Sequence, residues 1–179
     1  MNALFVTERL IVRPFDLDDG EFILKLLNTP TWLKFIGDRF IYTLADARKY
    51  LIDGPLKSYT ENGFGVWMVC LKEDNMPIGM CGLLKREFLV HPDIGFALLP
   101  LFEGRGYGTE VLTAALLFTK DHLQISDIFA FTDHDNSRSI RLLERSGFRF
   151  KEWIQPPGDK LPLLLYSIDL NTSPSLGLS

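Results

Sequence analysis

The chain has 179 residues, 46% of them hydrophobic, with 19 basic and 23 acidic side chains and a formal net charge of −4. That length and apolar content predict one compact domain with its own core, over residues 1–170, followed by a loose tail over 171–179. The acidic balance argues against a generic binder of nucleic acid or anionic membrane. The longest uncharged apolar runs, Ile94–Phe102 and Val111–Thr119, fall well short of the roughly 20 residues a membrane helix needs. No signal-peptide core forms before Glu8 and Arg9, so a cytoplasmic protein is expected. Only two cysteines occur, Cys70 and Cys81, both in apolar strand-like contexts that predict buried reduced thiols.

Taken in order, Leu10-Ile11-Val12 predicts a first strand ended by Pro14. Asp16 to Asp19 supply capping acids for a helix with Phe22, Ile23, Leu26 and Leu27 at helical spacing, and Asn28-Thr29-Pro30 breaks it. Trp32 to Phe40 reads as irregular, its aromatics serving the core or lining a pocket. Thr43 caps a second helix through Ala45, Tyr50 and Leu51, with a break near Gly54-Pro55 and a continuation towards Tyr59. Phe64–Leu71 and Ile78–Lys85 read as an antiparallel hairpin across the turn Lys72-Glu73-Asp74-Asn75. A third apolar strand, Ile94–Leu99, ends at Pro100. After it come a helix over Tyr107–His122, a strand over Ile128–Thr132 and a helix over Ser137–Arg145 stopped by Gly147. Two closing strands, Phe148–Trp153 and Leu163–Asp169, complete a mixed α/β sheet that is antiparallel first and holds one strand–helix–strand crossover.

The stretch Glu103-Gly104-Arg105-Gly106-Tyr107-Gly108-Thr109-Glu110 lies between that third strand and the long helix. Three alternate glycines let backbone N–H groups close on a ligand and let the chain use positive φ. The partly positive helix N-terminus points at the same place, which predicts a site for a phosphorylated ligand. The spacing is G-x-G-x-G rather than the G-x-G-x-x-G of a dinucleotide fold, and no lysine follows Gly108 as a Walker loop requires.

The pattern Ile94-Gly95-Phe96-x-Leu98-x-Pro100 followed by Glu103-x-x-Gly106-x-Gly108 resembles the acetyl-CoA signature of the GNAT superfamily of N-acetyltransferases. Asn136-x-x-Ser139-x-x-Leu142-Leu143-Glu144-Arg145-x-Gly147-Phe148 is similar to that superfamily's second motif. The opening Thr7-Glu8-Arg9-Leu10-x-Val12-Arg13 resembles the branch of the ribosomal-protein N-terminal acetyltransferases, the RimJ/RimL type. Together these span residues 7 to 169; Glu103 departs from the usual Gln or Arg of its position.

The resemblance implies an α+β GNAT fold, with a twisted, mostly antiparallel sheet, a splayed central strand pair and flanking helices. It also implies acetyl-CoA as acetyl donor, its diphosphate held by the N–H groups of Arg105, Gly106, Tyr107, Gly108 and Thr109. The pantetheine arm would pair with the backbone edge of Ala97, Leu98 and Leu99, and Asn136 would add a hydrogen bond. Direct attack by a primary amine is implied, with no acyl-enzyme on Cys70 or Cys81. Where many members carry a tyrosine to protonate the leaving thiolate, this chain has Leu143; Ser139, one turn nearer the helix start, is the substitute. Asp93 is the expected base, with His91 and His134 as alternatives. No His/Cys/Asp/Glu cluster shows metal-ligand spacing.

The acceptor stays open between a protein N-terminus and a small-molecule amine such as a polyamine, an amino acid or an antibiotic. Acids lining the acceptor side (Asp38, Asp46 and Asp53 are candidates) would favour polyamines. Leu143 also keeps open a non-catalytic acyl-CoA-binding module. The family often forms homodimers, and no sequence feature sets the oligomeric state.

Overall fold

The computed structural model describes residues 3–159 and 161–172. The tail expected from residue 171 therefore lies, beyond residue 172, outside the described residues. A short strand β1, Phe5–Val6, folds back on β2, Leu10–Arg13, pairing Phe5 with Val12 and Val6 with Ile11. Asp16 caps a single 3-10 turn, and Asp19 takes both terminal guanidinium nitrogens of Arg13 at 2.7 Å. The carboxylate holds that guanidinium protonated against the opposing effect of burial. Helix α1, Gly20–Leu27, follows, burying Phe22, Ile23, Leu26 and Leu27.

Thr29-Pro30 does break α1, but it also starts a new helix, α2, Pro30–Phe35. Thr29 accepts from the Trp32 N–H and proline occupies a first-turn position, where its missing donor costs nothing. The stretch expected to be irregular is thus helical over its first half, with Trp32 buried. Helix α3, Leu44–Leu51, opens on a reciprocal capping box between Thr43 and Asp46. Thr43→Ala should lower stability by about 1 kcal/mol in urea unfolding, since the Asp46 N–H loses its acceptor. A π turn over Ile52–Leu56 absorbs Pro55 and continues into α4, Lys57–Asn62.

Strands β3, Val66–Leu71, and β4, Pro77–Leu84, are buried along nearly their whole length because helices cover both faces of the sheet. Trp67 and Val69 point into one hydrophobic cluster, and Val66, Met68 and Cys70 into the other. The remaining elements are β5, Asp93–Leu98; α5, Tyr107–Asp121; β6, Asp127–Thr132; α6, Ser137–Arg145; β7, Arg149–Ile154; and β8, Leu163–Asp169. Helices α5 and α6 contribute Val111, Leu112, Leu116 and Leu143 to the first cluster, and α1 and α3 contribute Ile23, Leu26 and Leu51 to the second. Cys70 and Cys81 are buried free thiols, and burial pushes the Cys81 thiol up to about 12.

Among the described residues eight strands run in the order β1-β2-β3-β4-β5-β6-β8-β7, antiparallel everywhere except between β5 and β6. Strand β5 pairs with β4 over six residues but with β6 at a single pair, Asp93 opposite Phe129. Beyond that pair the two parallel strands diverge, so the sheet holds an open wedge in its middle. No helix among the described residues is long and apolar enough to cross a membrane.

Candidate active site

The wedge has a closed apex at Asp93 and Phe129 and an open end where β5 runs into the glycine loop. At the open end Gly104 and Gly106 take φ of 72° and 83°, the left-handed region that side chains disfavour. Gly106 is the N-cap of α5, and no side chain caps that helix. The first intrahelical bond runs from the Glu110 N–H to the Gly106 carbonyl. Tyr107, Gly108 and Thr109 therefore carry N–H groups for which the helix has no acceptor, at its partly positive end.

Gly108 has a different duty. A Cβ there would stand 2.9 Å from Leu142 Cδ1, so this glycine brings α5 close to α6. Arg105 directs its guanidinium back over the Phe102 ring, 5.9 Å from the centroid, and is exposed. Glu103, the departure from the usual residue, takes an ion pair at 2.5 Å from Arg138 in the first turn of α6. The substitution thus links the two walls of the wedge.

Along β5 the strand edge facing β6 is largely free of strand pairing. Leu99 is not part of that edge: its N–H goes to the Ile78 carbonyl at 2.8 Å and its carbonyl takes the Phe102 N–H at 2.9 Å. The Pro92 carbonyl, in contrast, takes the Phe129 N–H across the apex. Backbone alternation then turns Phe96 and Leu98 towards the wedge, and Ala97 with Leu99 towards β4. The expected edge of Ala97 to Leu99 shifts to Phe96 and Leu98.

At the apex Asp93 is 2% exposed and accepts from Arg86 Nε at 2.7 Å. Burial raises its pKa, and Arg86 opposes that only in part. The Arg86 guanidinium also lies over the Phe131 ring at 4.8 Å. Its charge reaches Tyr50, whose pKa is raised by burial while Arg39 and Arg86 pull it down. Tyr50 in turn lines a cavity of about 480 Å³ with Phe40, Ile41, Asp46, Lys49 and Asp53. Arg86 is a residue the sequence reading missed, because nothing in its spacing ties it to Asp93.

On the other wall Asn136 is the N-cap of α6, its side chain accepting from the Ser139 N–H at 3.2 Å. Its amide nitrogen, and the half-buried Ser139 hydroxyl, meet no hydrogen-bond partner among the described residues. Leu143 is 1% exposed and packs in the core. His91 packs near-perpendicular to the Phe129 ring, at 5.3 Å between centroids. His134 is exposed, with Asp133 and Asp135 each 3.4 Å from its ring nitrogens. No metal-ligand spacing was expected, yet these three consecutive residues do bring ligand atoms within 4.8 Å of one another.

Comparison with known proteins adds a family. The family model described as the acetyltransferase (GNAT) domain matches residues 9–149. The uncharacterized N-acetyltransferase YnaD of Bacillus subtilis (strain 168) is 25% identical over 159 residues, 86% of this chain and 89% of that protein. RimL, a ribosomal alpha-N-protein acetyltransferase solved in complex with coenzyme A, superposes with a TM-score of 0.82 at 17% identity, covering 95% of this chain and 99% of that one. Spermidine N-acetyltransferase from Vibrio cholerae, solved with coenzyme A and spermine, gives a TM-score of 0.76 at 16% identity, covering 92% and 98%. At these identities the likeness to the two structures is one of fold.

Proposed function

Since the chain belongs to the GNAT acetyltransferase family, we propose that it transfers the acetyl group of acetyl-CoA to the amino terminus of a protein. The wedge between β5 and β6, with the glycine loop at its open end, supports this most directly. The loop fits a diphosphate. It offers the uncapped N–H groups of Tyr107, Gly108 and Thr109 just after two left-handed glycines, and nothing lies within 4 Å of a Cβ placed on Gly104. The Phe96 and Leu98 backbone fits an amide-bearing arm laid alongside as an added strand.

Bound there, acetyl-CoA supplies a thioester carbonyl open to direct attack by an uncharged amine. Asp93, as carboxylate, takes the proton the attacking amine must lose. Its raised pKa makes it a stronger base than an exposed aspartate. Ser139 holds a hydroxyl proton for the departing sulfur, and Asn136 keeps an amide donor free beside it while capping α6. Ser139→Ala should lower kcat by about 10²–10⁴-fold while leaving coenzyme affinity in place, as kinetics set beside calorimetry would report.

The acceptor class follows from the charges near the apex. The acids that would draw a polyamine are engaged elsewhere: Asp38 accepts from Tyr42 and Phe40, Asp46 caps α3, and Asp53 pairs with Lys49 at 2.5 Å. Arg39 and Arg86 near Tyr50 oppose a polycation. Exposed Phe40 and Tyr42, ring to ring at 6.4 Å, offer a peptide an apolar rim. The test is thiol release from acetyl-CoA with ribosomal-protein N-terminal peptides and with spermidine. Turnover on the peptides supports this acceptor, turnover on spermidine alone moves the acceptor to small amines, and coenzyme binding without turnover on any amine makes the chain an acyl-CoA sensor.

A further inference from the structure

The opening Thr7-Glu8-Arg9 sits in the turn between β1 and β2, and from it Thr7 and Arg9 reach across to the glycine loop and the helix that follows, about a hundred residues away in sequence. Arg9 Nη1 donates to the Arg105 carbonyl at 3.0 Å. Nε and Nη2 both grip Glu110 Oε2 at 2.7 Å. The other Glu110 oxygen takes the Arg9 backbone N–H at 2.9 Å and the Thr7 hydroxyl at 2.5 Å. The guanidinium lies over the Tyr107 ring, 4.4 Å from its centroid, and Nη2 is 3.2 Å from where a Gly106 Cβ would be.

Two consequences follow. The Arg105–Gly106 peptide bond is trans, so the Arg105 carbonyl and the Gly106 N–H point opposite ways across one rigid plane. Fixing that carbonyl on Arg9 fixes the N–H on the other side. Glu110, meanwhile, is a carboxylate in the first turn of an anion-binding helix, where its unpaired charge would repel a diphosphate and compete for the same N–H groups. Burial would raise its pKa, but the bonds from Thr7 and Arg9 outweigh burial and keep the carboxyl charged. Its neutralisation therefore depends on Arg9.

We infer that Arg9 is a positioning residue for coenzyme binding: its guanidinium locks the Arg105–Gly106 peptide with the N–H outward and cancels the Glu110 charge beside the diphosphate site. This rests on the proposed place of the coenzyme. Calorimetry with coenzyme A at low ionic strength, on four proteins of matched melting temperature, tests it. The unaltered protein binds. Arg9→Gln binds about tenfold to a hundredfold more weakly, a loss of about 1.4–2.8 kcal/mol. Glu110→Gln binds at least as tightly as the unaltered protein, and Arg9→Gln/Glu110→Gln recovers part of the loss because no charge is left to cancel.

A double variant no tighter than Arg9→Gln would mean that Arg9 touches the phosphates itself, and the inference falls. So it does if Arg9→Gln binds like the unaltered protein. If Arg9→Gln fails to fold, Arg9→Lys takes its place: it keeps a charge for Glu110 but not the fork that also reaches Arg105, and should bind with an intermediate loss. Unchanged binding by Arg9→Lys would overturn the peptide lock. Failure of the unaltered protein to bind coenzyme A at all would sink the proposed function instead.

Discussion

Asp93→Asn should leave coenzyme affinity intact and lower kcat by about 10²–10⁴-fold, the range for removing a positioned general base. The asparagine keeps the shape and an acceptor for Arg86 Nε, so the loss reports on the proton and not on the wedge. In the unaltered protein kcat/KM should rise with pH along an acid limb lying above the ordinary aspartate value of about 3.9, because burial raises this carboxyl and its ionised form is the active one. Stability runs the other way. The folded state binds the proton more tightly than the unfolded chain, so stability is lost as pH rises through the interval between the two pKa values. Asp93→Asn removes both dependences. An acid limb that survives in the variant would mean that another group is the base.

Gly106→Val should weaken coenzyme A binding about a hundredfold or more, a loss of about 2.8 kcal/mol in calorimetry. A β-branched residue at φ of 83° costs of order 1–3 kcal/mol unless the loop moves, and loop movement is what displaces the N–H groups. The new Cβ also stands 3.2 Å from Arg9 Nη2, so relief of strain presses on the contact that holds the loop. Gly104→Val is the matched control. It too sits at positive φ, 72°, but a Cβ there meets nothing within 4 Å, so it carries the backbone cost without the collision. Gly108 is unsuited to this test, because bulk there strikes Leu142 and loosens α5 from α6. Equal affinity for Gly106→Val and the unaltered protein would move the anion site off this loop.

Periodicity and punctuation carried most of the architecture. The bounds of α6, Ser137–Arg145, and of β8, Leu163–Asp169, are those the apolar spacing and Gly147 predict, and the β3–β4 hairpin and the β5–α5–β6 crossover follow equally from local signals. Helix α2 was hidden because Thr29-Pro30 serves equally as a stop and as a start, and only the Trp32 contact with the core decides between them. Strand β1 was hidden because two residues carry no period.

The glycine loop was legible as a motif because the left-handed backbone at Gly104 and Gly106 favours glycine. Its supports were not. Arg9 on Glu110, Arg138 on Glu103 and Arg86 on Asp93 are pairings of surface-type residues, two of them between distant parts of the chain, and no local pattern encodes them. Leu99 was misjudged as part of the open edge because alternation fixes which strand atoms face the wedge only once the β4 register is known.

The two cysteines set the conditions under which any of these experiments can be read. Both are sealed within the sheet, and with its thiol lifted to about 12 Cys81 has almost no thiolate near neutrality. A disulfide reagent such as Ellman's then finds nothing on the native protein to titrate, so colour developing in the cuvette is coenzyme set free by turnover, and a sudden background of protein sulfhydryl marks a variant that has come apart.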